Sequence, residues 1–201
     1  MQYGGRWFWG VARGFALLIG LAVGASVEAN PNVGAHAEFG VGEIRTRPFV
    51  VGGGVAATIA AGLSTRFVGP VTGCAEFQAT TGRNFPLKGN LEAADAGHQS
   101  LTTLVGALEL HGLPRARGAV CLAGLGVGRS TISGARGAIN SPDFGQVQLR
   151  DRTALAYALG LGYRFGGGAW GTQLALRAHG LFRNGLDSSA YATALMIGVA
   201  Y

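Results

Sequence analysis

The chain has 201 residues, of which 36 are glycine and two cysteine; 48% are hydrophobic, only 13% are charged, and the net charge is +6. Against an average of roughly 7% glycine and roughly 25% charged residues, this composition excludes a disordered chain, a collagen and a disulfide-framed mini-protein. A mean hydropathy of +0.29 points toward a membrane, yet glycine costs a helix interior about 1 kcal/mol relative to alanine, which counts against a bundle of spanning helices.

Residues 1–29 read as a cleaved secretory leader. Arg6 and Arg13 supply the basic start, 15–25 is an apolar stretch shorter than the ~20 residues of a spanning helix, and Val27 and Ala29 flank Glu28 ahead of a cut before Asn30. Residues 30–201 then form one exported domain with no internal boundary.

From there the apolar residues fall at a period of two, the spacing of strands. In 33–41, Ala37, Phe39 and Val41 oppose His36, Glu38 and Gly40. The uncharged stretch 48–65 has the length of a spanning helix, but it begins with proline, contains Gly52, Gly53, Gly54 and Gly62, and alternates large with small from Val55. It is read as a loop followed by a strand, with Val55, Ile59, Leu63 and Phe67 opposing Ala56, Ala60, Gly62 and Arg66. In 71–81, Ala75, Phe77 and Ala79 oppose Cys74, Glu76 and Gln78. In 102–111, Leu104, Leu108 and Leu110 oppose Val105, Ala107, Glu109 and His111. The segment 119–129 is the least regular: Ala123, Leu125 and Val127 oppose Gly124, Gly126 and Gly128, while Val120 and Leu122 spoil the contrast.

The last three segments are clear. Leu155, Tyr157, Leu159, Leu161, Tyr163 and Phe165 oppose alanines, glycines and Arg164; Trp170, Leu174, Leu176 and Phe182 oppose Gln173, Arg177 and His179; Tyr191, Leu195, Ile197, Val199 and Tyr201 oppose alanines, Met196 and Gly198. Long polar connections (45–54, 82–99, 130–152, 183–189) alternate with short ones (68–70, 112–118, 166–169). Eight amphipathic strands joined in this way predict an all-β fold, a closed antiparallel up-and-down transmembrane β-barrel. A water-soluble barrel would put its large apolar residues inside, opposite to the small-residue face seen here.

Three segments carry a family resemblance: Ala123-Gly124-Leu125-Gly126-Val127-Gly128, the strand 155–165, and the closing Ile197-Gly198-Val199-Ala200-Tyr201. With these the chain resembles the small Gram-negative outer-membrane β-barrel proteins of the OmpA/OmpX type, in the porin-like barrel family. The resemblance implies an outer-membrane location and recognition of the terminal strand, ending on Tyr201, by the barrel-assembly machinery. It also implies surroundings of lipid and lipopolysaccharide.

Turning the small-residue face inward places Glu38, Glu76 and Glu109, Arg66, Arg164 and Arg177, and His36, His111 and His179 in the lumen. An eight-stranded barrel has an interior just wide enough for side chains, so these groups are expected to pair and plug it. The function expected is that of a non-enzymatic structural or surface-interaction protein, probed through its longer loops; a narrow solute pore is the alternative.

A third reading is enzymatic. The segment 176–184, with His179, is similar to the histidine-bearing strand of lipid A deacylases. That family places its serine nucleophile two residues after the histidine, where this chain has Leu181, and Ser188 and Ser189 lie in the following loop. No catalytic residue is therefore assigned.

Cys74 and Cys121 fall on the third and fifth strands and on opposite faces, so two free thiols are expected. The arginine pairs 45/47, 115/117 and 150/152 lie at strand ends and loops without interleaved aromatics. They suit contact with lipopolysaccharide phosphates and do not suit nucleic acid. The histidines are far apart and neither cysteine belongs to a CxxC pair, so no metal site or cofactor is expected from spacing, and the chain is expected to be a monomer.

Overall fold

The computed structural model describes residues 33–47, 51–52, 54–83, 85–86, 98–112, 118–133, 137–141, 145–149, 151–166, 171–182 and 189–200. The leader 1–29, Arg115, Arg117, Arg150, Trp170, Ser188 and Tyr201 lie outside these residues.

Eight long strands make the barrel: β1 (Val33–Arg47), β2 (Gly54–Val68), β3 (Val71–Arg83), β4 (His98–His111), β5 (Gly118–Ser133), β6 (Arg152–Phe165), β7 (Gly171–Leu181) and β8 (Ser189–Ala200). Each is hydrogen-bonded antiparallel to its sequence neighbours, and β1 pairs with β8 to close the ring. Closure matters energetically because a spanning sheet has no water to satisfy an open edge. Two small ribbons lie in the long connections: Val51–Gly52 pairs with Phe85–Pro86, and Gly137–Ser141 pairs with Gly145–Leu149.

The period of two is what separates inside from outside. Phe39, Val55, Leu104, Leu125, Leu155, Leu161 and Ile197 stand on the outer wall, each more than half exposed. Alanines 56, 60, 156, 158, 192 and 194 are buried on the inner wall. Exposed apolar residues in such a continuous belt suit hydrocarbon and not water. Aromatic pairs mark both ends of the belt: Tyr157 and Phe182 toward the long loops, ring centroids 5.3 Å apart, and Tyr163 and Phe165 toward the short turns, 4.7 Å apart. At the long-loop end the strands continue past the belt and their outward residues become polar. There Arg45 donates to Glu43 at 2.7 Å, and the hydroxyls of Ser100 and Thr131 bond across strands.

The strands run further than the alternation implied, and the extension adds apolar residues to the interior. Ile44, Leu101 and Ile132 lie beyond the sequence-based strand ends, and all three are buried. Val120 and Leu122, which blurred the pattern of β5, also point inward, at 3% and 4% exposure. Ile44, Leu101, Val105, Leu122 and Leu181 join the inner alanines in one apolar cluster. The lumen is therefore filled by hydrocarbon as well as by polar groups.

Glycine makes room for this filling. A Cβ on Gly160 would fall 3.0 Å from Cδ of Arg177, and one on Gly198 would fall 2.8 Å from Cγ of Glu38. Gly126 sits so close to β4 that a Cβ would meet the Leu104 carbonyl and, at 2.7 Å, the Val105 Cα. Gly126→Val is thus expected to cost about 1–3 kcal/mol by overpacking. A lowered temperature for loss of heat-modifiable gel migration would register it, and an unchanged one would mean that the two strands can separate.

Cys74 is buried on the inner wall and Cys121 is exposed on the outer wall; both are free thiols. The β2–β3 turn uses Gly69 at φ 60, in the left-handed region, followed by Pro70. A register shift between Arg66 and Val68 precedes it.

Candidate functional site

The inner wall collects its polar side chains into three groups stacked along the barrel axis. The group nearest the short turns holds the charges. Arg177 of β7 grips Glu38 of β1 with two hydrogen bonds, Nε to Oε2 and Nη2 to Oε1, both 2.8 Å, and its Nη2 also lies 3.5 Å from Glu76 Oε2 on β3. Glu76 in turn bonds His36 Nε2 at 2.9 Å and accepts from the Gln78 amide. On the other side, Gln173 donates to Glu38 at 2.6 Å and accepts two bonds from Arg164, at 3.1 and 2.9 Å. Arg164 reaches Glu109 at 3.6 Å, and His111 reaches the same carboxylate at 3.4 Å. One unbroken chain of contacts thus runs from His36 to His111 through five strands.

The fork of Arg177 on Glu38 is the strong member, because a bidentate guanidinium–carboxylate pair fixes geometry as well as charge. Side-chain exposure of Arg177, Glu38, Glu76 and His36 is 2% or less, so water screens these charges little. Burial sets the energy scale: removing one partner from such a pair costs about 3–5 kcal/mol, whereas replacing the whole pair by apolar groups is often neutral.

Above this group, the two ring nitrogens of His179 lie 2.7 Å from the Thr80 hydroxyl and 2.9 Å from that of Thr103, and Thr80 bonds Thr58 at 2.8 Å. Nearest the long loops, Thr46 donates to Gln99 at 3.2 Å and Gln99 to Ser130 at 3.5 Å.

Of the nine side chains assigned to the lumen from sequence, the structure brings His36, Glu38, Glu76, Glu109, His111, Arg164 and Arg177 into one network and places His179 in the next layer. Arg66 is the correction. It is exposed at the end of β2, and its Nε donates to the Gly69 carbonyl at 3.3 Å. Its pairing is unbroken as far as Thr72, the last step before the register shift, so the side chain stands at the turn end of the barrel, where the tight turn offers it an acceptor. Without Arg66 the network holds three carboxylates against two guanidiniums, not a balanced set.

Charge-based reading missed the neutral members Gln78, Gln173, Thr58, Thr80, Thr103 and Gln99. The same alternation places the first five on the inner face, so they were visible to a search for any polar residue there, whereas Gln99 lies beyond the strand end expected from sequence. Strand register also brings together residues that sequence spacing keeps apart. Spacing in sequence separates the histidines and cysteines, but pairing of β1, β2 and β3 sets His36, Gly62 and Glu76 in one cross-strand row, with Cys74 two residues from Glu76 on the same face. His36, Cys74 and Glu76 offer ligand atoms all within 4.8 Å of one another.

No protein-family model matches the chain, and no curated protein matches it by sequence. Among solved structures, Neisserial surface protein A is similar at a TM-score of 0.54 with 9% identity, over 84% of this chain and 95% of that one. Ail, the attachment invasion locus protein of Yersinia pestis, gives 0.48 with 12% identity over 85% and 99%. The outer-membrane protein OprG of Pseudomonas aeruginosa gives 0.46 with 14% identity over 85% and 95%. The first likeness shows a common fold, the closed eight-stranded barrel of small outer-membrane proteins.

Proposed function

We propose that this protein is an outer-membrane barrel with a closed lumen, a non-enzymatic structural or surface-interaction element that works through the loops at its polar rim. The carrying observation is the chain of buried contacts from His36 through Arg177 and Glu38 to Arg164 and Glu109. It spans the interior, and the apolar cluster around Leu101 and Leu181 lies beyond it. Loops on a rigid scaffold are where binding residues concentrate, and the likeness to a protein named for the cell surface supports that placement.

In this reading, residues 1–29 direct export and are removed after Ala29. The barrel-assembly machinery engages the last strand and the Tyr201 that follows it in sequence, and the barrel stands as a monomer. Basic residues at the polar rim, Arg45 among them, face the phosphates of lipopolysaccharide. The enzymatic alternative finds no support in the placement of His179. Its ring is turned into the lumen between two threonines, away from the lipid in which an acyl-ester substrate would lie.

The experiment is planar-bilayer conductance of the refolded protein. The expected result is a baseline without stable ohmic steps. Large, long-lived unitary steps would establish the narrow pore instead, with the charged network acting as its filter.

A further inference from the structure

We propose that the lumen contains a zinc site built from His36, Cys74 and Glu76. These three side chains come from β1 and β3, the strands on either side of β2, and meet over a gap that β2 leaves for them. At the centre of that gap is Gly62. A Cβ there would fall 2.9 Å from Cys74 Sγ and 2.9 Å from His36 Nε2, so any larger residue would occupy the space in which the two ligands approach.

The donor set is one imidazole nitrogen, one thiol sulfur and one carboxylate oxygen, all on buried residues within 4.8 Å of one another. Sulfur and imidazole together favour zinc over calcium or magnesium. Zinc takes such ligands at about 2.3 Å for sulfur and about 2.0–2.2 Å for nitrogen and oxygen, and three protein ligands leave a fourth position for water. Small rotations of the side chains suffice. The 2.9 Å contact between His36 and Glu76 opens slightly as both turn toward the ion.

Electrostatics supplies an independent argument. The buried network carries three carboxylates, Glu38, Glu76 and Glu109, against two guanidiniums, Arg164 and Arg177. The two guanidiniums leave one carboxylate without a permanent cation. A zinc ion that displaces the Cys74 proton adds two positive charges and one negative charge, which closes the deficit. Arg177 does not compete strongly for Glu76: its two short bonds go to Glu38, and the Glu76 contact is 3.5 Å. The second oxygen of Glu76 accepts from Gln78, which orients the carboxylate as an outer-sphere partner does. The amide oxygen of Gln78 is itself a buried acceptor with no donor among the described residues. A metal held this way clamps β1 to β3 across β2.

The test uses the untagged full-length protein, purified folded and stripped with a chelator, in a Cys121→Ser background so that Cys74 is the only thiol. Zinc titration is expected to give about one equivalent per chain. Cobalt in its place is expected to give a near-ultraviolet sulfur-to-metal charge-transfer band. Cys74→Ser should abolish that band, and His36→Gln should weaken zinc binding at least ~10-fold. Should either variant fail to show heat-modifiable migration, X-ray absorption of the zinc-loaded Cys121→Ser protein decides, with one sulfur in the zinc shell at about 2.3 Å expected. Zinc bound well below one equivalent, or a zinc shell of nitrogen and oxygen alone, overturns the proposal.

Discussion

Arg177→Met in the refolded protein is expected to remove about 3–5 kcal/mol of unfolding free energy, measured by urea titration in lipid vesicles. Arg177 is the only group with contacts to both Glu38 and Glu76 among the described ion pairs. Its loss strands Glu38, left with the Gln173 amide alone, in a space with almost no water. The double variant Glu38→Gln/Arg177→Met should recover more than half of the loss, because it removes the stranded charge that makes the single change so costly, while Glu76 keeps His36 and Gln78. A single-variant loss below about 1 kcal/mol would be that of a hydrated surface pair and would mean that the lumen is wet.

The second large effect belongs to the outer wall. Leu159 stands in the middle of β6, half exposed, flanked in its row by Tyr157 and Leu161. If this belt faces lipid, Leu159→Arg is expected to cost about 2–4 kcal/mol, whereas Phe165→Arg, at the end of the same strand, costs about 0–1 kcal/mol. Depth dependence is the informative part. In water both substitutions would be near neutral, so equal and small effects in vesicles would show that the barrel does not lie across the bilayer.

The barrel was legible in the sequence because a strand has two faces and this one had to meet two different media. Wherever the outer residue is Leu, Phe, Tyr or Val and the inner one Ala or Gly, as in β6 and β8, alternation reads the strand directly. Legibility failed where the faces stop differing. At Val120 and Leu122 the inner wall carries large apolar side chains of its own. At 42–47, 98–101 and 130–133 the strands leave the belt and their outer residues turn polar.

The network was only partly legible, for a different reason. Period-two logic gives the face of a residue but not its height along the axis, and pairs such as Glu38 with Arg177 depend on height. Arg66 failed on height too: it keeps its pairing with Thr72 but stands at the turn end of β2, past the layer that holds the charges. The grouping of His36, Cys74 and Glu76 needed register too: ligands 40 residues apart in sequence become neighbours once β1 and β3 are set on the two sides of Gly62.

The pairing of β1 with β8 has a consequence for how the barrel comes apart. Glu38 lies on the first strand and Arg177 on the seventh, 139 residues later, so their fork cannot form until the two ends of the sheet have met. Until then each charge retains its water, and the cost of drying them falls on the last step of assembly, when loop entropy over nearly the whole chain is also lost. Run backwards, parting the seam must break a dry bidentate pair before any solvent can enter to replace it. The seam is therefore a latch on the escape rate. Variants at this pair should shorten the lifetime of the folded barrel more than they slow its formation.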